Sequence, residues 1–275
     1  MPISRSAKRA IESQKAADDS RVVWPFVLIA GLALAAVVVV AMPASLVMRL
    51  LPAGLTAEDF SGSLWHGSAG RLLLDHQDAG ALEWRLRPWP LLSLHVSTDL
   101  HWVKGGFVAD GAAHAGTHGV ALSRVEGGGP IEDLRDLGIG SGWRGTSSFK
   151  FSAIKLAFSG PSPTVTAAVG DFDVHALVSS QIAHGADLGG YRLHFADAAI
   201  APGSDINAEL SDLGGPLEIH ASIHFSTDSH TGMLSGTVKA RPDASPALLG
   251  ELENLTQLHS RNAMGAIPVE LEFAL

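Results

Sequence analysis

All thirteen histidines of the chain lie beyond residue 65, and with the neighbouring aspartates they are the side chains best suited to metal or acid–base chemistry. Three spacings bear on that. His220 and His224 alternate with Ile219, Ala221, Ile223 and Phe225, so a strand would carry both on its polar face. Four strand positions span about 13 Å, too far for one metal ion to take both rings easily. Asp171, Asp173 and His175 alternate around Phe172 and Val174, which is again a wet strand face. His114 and His118 sit in a glycine- and alanine-rich stretch that reads as a loop. Solvated faces account for these sets, so no metal site is expected. Histidine could sense pH, but the pattern singles out no one residue.

Other reactive chemistry is missing from the sequence. There is no cysteine, hence no thiol nucleophile, disulfide staple or cysteine–zinc site. No G-x-S-x-G elbow, H-E-x-x-H helix, P-loop or dinucleotide fingerprint occurs. Gly127-Gly128-Gly129 before Pro130 reads as a turn, and the Asn254-Leu255-Thr256 sequon falls inside a helical pattern. The expectation is a non-enzymatic protein without catalytic residues or cofactor.

What positions the rest is a membrane segment. Val22 to Met42 are uncharged and mostly apolar, and as a helix at about 1.5 Å per residue they would span roughly 32 Å, enough for the hydrocarbon core. Arg5, Lys8, Arg9, Lys15 and Arg21 precede the run, and basic residues are sparse just after it. The positive-inside bias puts the N-terminus in the cytoplasm and the remainder across the membrane. Val39-Val40-Ala41 loosely resembles a signal-peptide cleavage site, but the run is long for one and Pro43 follows, which favours an uncleaved single-pass anchor. The organisation read from this is a tail over 1–21, an anchor over 22–42, a juxtamembrane linker over 43–54 and one domain over 55–275. The net charge is −9 and no basic stripe runs along the domain, which argues against nucleic acid.

Beyond Leu55 the hydrophobic period is two. Leu82, Trp84 and Leu86 alternate with Glu83, Arg85 and Arg87; Leu94, Val96, Thr98, Leu100 and Trp102 alternate with polar neighbours. Around Pro88-Trp89-Pro90 these form an antiparallel pair with one wet face. Further strands are predicted over 149–158, 165–169, 191–195, 217–225, 234–240 and 267–275. Short helices are predicted over 130–137 and 245–258, the second capped by Ser245 with Leu248, Leu252 and Leu255 on one face. Residues 171–182 fit either strand or helix. The fold class is therefore mainly β: a transmembrane helix followed by an antiparallel β-rich domain with two short helices. One internal echo, G-S-x-W-x-G-[ST] at Gly62–Ser68 and at Gly140–Thr146, marks either two similar β-units or chance in a glycine-rich chain.

Tryptophan placement is the remaining signal. Trp65 lies between Gly62 and Gly67, and Trp84 and Trp89 bracket the turn before the second strand. Rings over glycines pack a core; the sharper alternative is a docking edge or an apolar groove.

These residues also resemble a known family. Phe60-Ser61-Gly62-Ser63-Leu64-Trp65-His66-Gly67-Ser68-Ala69, then Leu82-Glu83-Trp84-Arg85-Leu86-Arg87-Pro88 with Leu91-Leu92, is similar to the opening strands of type II secretion system protein N. Leu234-Ser235-Gly236-Thr237-Val238, with Arg241-Pro242 after it, resembles that family's closing segment. The resemblance implies an accessory component of the Gram-negative type II machine, anchored in the inner membrane with its domain in the periplasm. Its implied partners are the secretin and the inner-membrane platform proteins. The family-motif residues carried over are Gly62, Leu64, Trp65, Gly67, Trp84, Pro88, Gly236 and Pro242.

Two readings follow. The first is a scaffold that binds another secretion component, for instance by strand addition at an open sheet edge. The alternative is a membrane-anchored lipid-binding or lipid-transfer protein whose curved sheet has an apolar inner face. In the first, Leu82, Trp84, Leu86, Val96 and Leu100 are buried against Leu248, Leu252 and Leu255; in the second they line a groove.

Overall fold

Alternating apolar and polar residues, in strands of seven to sixteen residues, build a single antiparallel sheet. The structure is a computed structural model describing residues 42–45, 55–74, 76–87, 95–116, 119–137, 142–157, 164–180, 182, 185–197, 199–200, 205–226, 231–256 and 265–274. Its first strands are β1 (Leu55–Gly62), β2 (His66–Leu74), β3 (Gln77–Arg87), β4 (Val96–Lys104), β5 (Phe107–Gly116), β6 (Gly119–Pro130) and β7 (Trp143–Ala157). They continue as β8 (Thr164–Ser179), β9 (Tyr191–Asp197), β10 (Ile206–Asp212), β11 (Leu217–Ser226), β12 (Thr231–Ala240) and β13 (Ile267–Ala274). Each strand pairs with its neighbours in sequence, so the sheet is a thirteen-stranded meander with β1 and β13 at its edges. The expected tail and nearly all of the anchor and linker lie outside the described residues. Among the described residues no helix is long and apolar enough to cross a membrane.

Two short helices interrupt the meander, as the caps and breakers predict. Pro130 ends β6, and residues Ile131–Leu137 form a 3-10 helix with Ile131 and Leu134 buried. Asp133 of this helix accepts the Gly106 N–H at 2.6 Å, pinning the β4–β5 turn. Helix α1 (Pro246–Thr256) starts on Ser245, whose Oγ accepts the Leu248 N–H at 3.3 Å.

The strand pair expected around Trp84 is present, with Leu82 opposite Trp102, Trp84 opposite Leu100 and Leu86 opposite Thr98. Other strands run longer than their apolar patterns suggest. β7 begins at Trp143, six residues before the expected start, and β8 continues through the ambiguous 171–179 stretch. There the alternation was the governing signal. Two loop readings are corrected. His114 lies within β5, and Gly127-Gly128-Gly129 lie within β6 rather than in a turn. The glycines are required by close approach: a Cβ on Gly127 would sit 2.2 Å from the Val108 carbonyl oxygen and 2.9 Å from the Phe149 ring. The echoed motif is not a repeated β-unit. β2 and β7 are an odd number of strands apart in an alternating meander, so the two segments begin at opposite ends of the sheet.

The register sorts the sheet into two chemically opposite faces. One cross-strand row reads Phe60, Ala69, Leu82, Trp102, Ala109, Gly127 and Phe149 from β1 to β7. It continues as Phe172, Leu193, Leu210, Ala221, Gly236 and Val269 from β8 to β13, without one polar member. One residue away on the other face the row is Ser61, Ser68, Glu83, His101, Asp110, Glu126 and Lys150, then Asp171, His194, Glu209, Ser222, Ser235 and Glu270. Hydrogen-bonding partners meet on it: His101 and Asp110, and His194 and Asp171, are each 2.7 Å apart.

Two separate cores form on the apolar face. Near the N-terminal edge Trp84 packs with Ala44, Ala57, Ala69, Leu72 and Ala79. Near the C-terminal edge Leu248 and Leu252 of α1 pack with Leu188, Leu217, Val238 and Ile267. The expected burial of the β3–β4 side chains against the helix leucines is therefore not found. Seven strand spacings separate β4 from β11, roughly 34 Å, too far for an 11-residue helix to cover both.

Candidate functional site

The first motif builds a structural corner where β1 turns into β2. Gly62 adopts φ +79°, and a Cβ there would meet the His66 carbonyl oxygen at 2.3 Å. The Leu64 N–H donates to the Met42 carbonyl at 2.8 Å, tying the end of the apolar N-terminal run to the sheet. The Leu64 carbonyl accepts the Trp84 indole N–H at 3.0 Å, and the Trp65 carbonyl accepts the Leu86 N–H at 2.7 Å. The Trp84 indole lies directly over Gly67, where a Cβ would come within 2.5 Å of Cζ2. Phe60 completes the stack edge-on, with ring centroids 6.3 Å apart. Trp84 is 7% exposed, so of the two roles considered for it, packing is the one realised.

The structure thus brings Gly62, Leu64, Trp65, Gly67 and Trp84 together, and separates Gly236 and Pro242 from them. Pro88 and Trp89 lie outside the described residues. Pro242 is exposed in the β12–α1 connection, where the neighbouring Arg241 meets Asp212 at 2.6 Å. Gly236 sits mid-strand in β12, where a Cβ would meet the Ala221 Cβ at 2.3 Å. It also borders the feature with the most distinctive chemistry.

That feature is an apolar groove of about 580 Å³ between the inner face of β7–β13 and α1. Phe172, Leu193, Leu210, Ile223, Leu234 and Leu271 line its sheet wall, and Leu248 and Leu252 its helical wall. Glu251 is the one charged side chain among its lining residues. Tyr191 also lines it, but its hydroxyl already donates to the Leu188 carbonyl. Burial, with Asp212 and Asp187 nearby, pushes the Tyr191 hydroxyl up to about 12, so it stays neutral. The inner row is not sealed. Of its thirteen members only Ala69 is fully buried, and the other twelve are half-buried. A ladder of rings, Trp102–Phe107–Phe149–Phe151–Phe195, with Phe107 buried, continues the apolar packing towards β4 with centroid separations between 5.5 and 6.3 Å.

Charge is arranged to stabilise the walls. Burial works to raise the Asp212 carboxyl, but hydrogen bonds from Arg241 and from the Gly214 and Ile219 N–H groups hold it below the usual value. A bidentate Arg192 likewise holds Asp173 low, with N–O distances of 2.7 and 2.6 Å. On the polar face Asp171 and Asp173 pair with His194 and Arg192, and His224 meets Asn207 at 2.7 Å. Among the described residues no group of three or more His, Asp or Glu is arranged to hold a metal ion.

The alternative reading put an apolar groove along Leu82, Trp84, Leu86, Val96 and Leu100, none of which lines this one, because two of its walls gave no clear strand pattern. β10, which contributes Leu210, has a weak pattern in Ile206–Asp212, and the 171–179 half of β8 looked equally helical. The usable signal was phase: each predicted strand put its apolar residues on one face, without any break that would close the sheet on itself.

Comparison with known proteins adds the family. A family model described as type II secretion system (T2SS), protein N, matches residues 53–270. No curated protein and no solved structure matches the chain. The match runs from just before β1 into β13 and takes in both the corner motif and the β12 segment, so the chain belongs to the type II secretion system protein N family.

Proposed function

We propose that the protein is a non-enzymatic accessory component of the type II secretion machinery, held in the inner membrane of a Gram-negative cell by residues 22–42. Its β-rich domain stands in the periplasm and works by contact with the secretin or the inner-membrane platform proteins. Family membership supports the role in secretion. The observation that carries the contact mode is the edge strand β13, which among the described residues pairs on one side only, with β12. Its free side offers backbone donors and acceptors to an incoming extended segment. Leu271 on this strand is 56% exposed. The opposite edge is less suited, because Asp59 at φ +55° breaks the regularity of β1.

The absence of cysteine makes the test direct. Glu272→Cys puts a unique thiol on β13, and cysteine cross-linking in cells that express the secretion system should yield an adduct with another secretion component. A thiol that reacts with maleimide in those cells yet forms no such adduct would remove the β13 edge from the proposal.

A further inference from the structure

We infer that the inner face of the sheet binds a lipid acyl chain, drawn from the bilayer at the β1 end and seated in the groove between β7–β13 and α1. This goes beyond the protein-contact role and rests only on the anchoring of residues 22–42 in the membrane. The lining chemistry selects the occupant. Glu251 is the one charged group there, and the Tyr191 hydroxyl is already engaged. An extended polypeptide in such a site would leave its backbone N–H and C=O groups without partners, at a large desolvation cost. An alkyl chain asks for no polar partner. The volume of about 580 Å³ is that of a small-molecule site.

The N-terminal sequence says where such a chain would come from. The apolar run Val22–Met42 ends at the corner, where the Met42 carbonyl accepts the Leu64 N–H and Ala44 packs in the same cluster as Phe60. From Phe60 the apolar row passes strand by strand to Val269, a path of twelve strand spacings, roughly 58 Å. Among the row's members only Ala69 is fully buried and the rest are half-buried, so the row keeps accessible apolar surface that a sealed core would not. The charged face behind it gives the sheet a wet side, so only the inner face is left for a lipid.

The test uses the full-length chain in phosphatidylethanolamine–phosphatidylglycerol vesicles that contain no other secretion protein. A fraction of the phosphatidylethanolamine carries a photoreactive diazirine in its acyl chain. After illumination, peptide mapping should find adducts on inner-face residues of β9–β12, including Leu193, Leu210 and Leu234, as well as on residues 22–42. Leu193→Trp, which narrows the groove, should lower the β9–β12 adducts to the level of the polar face; Leu210→Lys, which charges it, should do the same. Circular dichroism checks that each variant is folded, and the wild-type map decides the matter if neither is. Adducts confined to residues 22–42, with the inner face unlabelled, would overturn the inference and leave the groove to a polypeptide.

Discussion

The packing of Trp84 on Gly67 makes a prediction that a double-mutant cycle can test. Trp84→Ala removes a 7%-exposed indole from the N-terminal core and leaves the Leu64 carbonyl without its indole N–H partner. A large-to-small change of this kind costs about 3–5 kcal/mol. Gly67→Ala introduces a Cβ 2.5 Å from Trp84 Cζ2 and 2.7 Å from the Ser63 carbonyl oxygen. Overpacking of that sort costs about 1–3 kcal/mol. The two costs share a contact, so they should not add. In the Trp84→Ala background the indole clash is gone and only the Ser63 contact remains, so the glycine substitution should cost less by about 1 kcal/mol, within the range found for touching residues. The assay is denaturant unfolding of the full-length protein in mild detergent, followed by far-ultraviolet circular dichroism so that loss of a tryptophan does not bias the signal. The slope against denaturant should be the same for all four proteins. Additivity within about 0.3 kcal/mol would refute the reasoning, because it would mean that the indole does not rest on Gly67.

Three further outcomes follow from paired polar groups in the C-terminal half of the sheet. Arg241→Met should lower the unfolding midpoint, because it removes the guanidinium that meets the Asp212 carboxylate at 2.6 Å and leaves it only the Gly214 and Ile219 N–H groups; denaturant unfolding measures it. Asp173 and Asp212 both titrate below the ordinary carboxylate value, so the stability they contribute is present above about pH 4 and lost as pH falls through their folded values. Unfolding midpoints from pH 7 down to pH 3 should fall, and less steeply when both are changed to Asn. Tyr191 is the chain's one tyrosine, so absorbance at its phenolate band reads it alone; ionisation should centre near 12 in the folded protein, with stability declining as pH rises from about 10 towards that value. An ionisation at about 10 in folded protein would show that the hydroxyl is not buried on Leu188.

Much of the architecture could be read in the sequence wherever local chemistry matched the fold. Leu82–Leu86 and Val96–Trp102 alternate cleanly because their strands each have one wet and one apolar face, and both fall where expected. Ser245 and Pro246 announced α1 through capping alone. The failures share a cause. Gly127–Gly129 and the segment around His114 are strand because neighbouring strands press close enough to require small residues, a tertiary demand that imitates a loop in the sequence. The candidate residues divide in the same way. The corner of Gly62, Leu64, Trp65, Gly67 and Trp84 is held by local hydrogen bonds and one ring, so its motif was visible. The groove is assembled from seven strands, β7 to β13, and a helix, and only the cross-strand register brings Phe172, Leu210 and Val269 into one row.

The central claim is that this sheet serves the secretion machinery through contact with its components. Gentle extraction of the tagged full-length protein from native membranes, with quantitative mass spectrometry of what copurifies, tests it most directly. The account predicts enrichment of the secretin or of inner-membrane platform proteins over an unrelated single-pass anchor treated in the same way. Lipid alone, with no secretion component above that control, would contradict it.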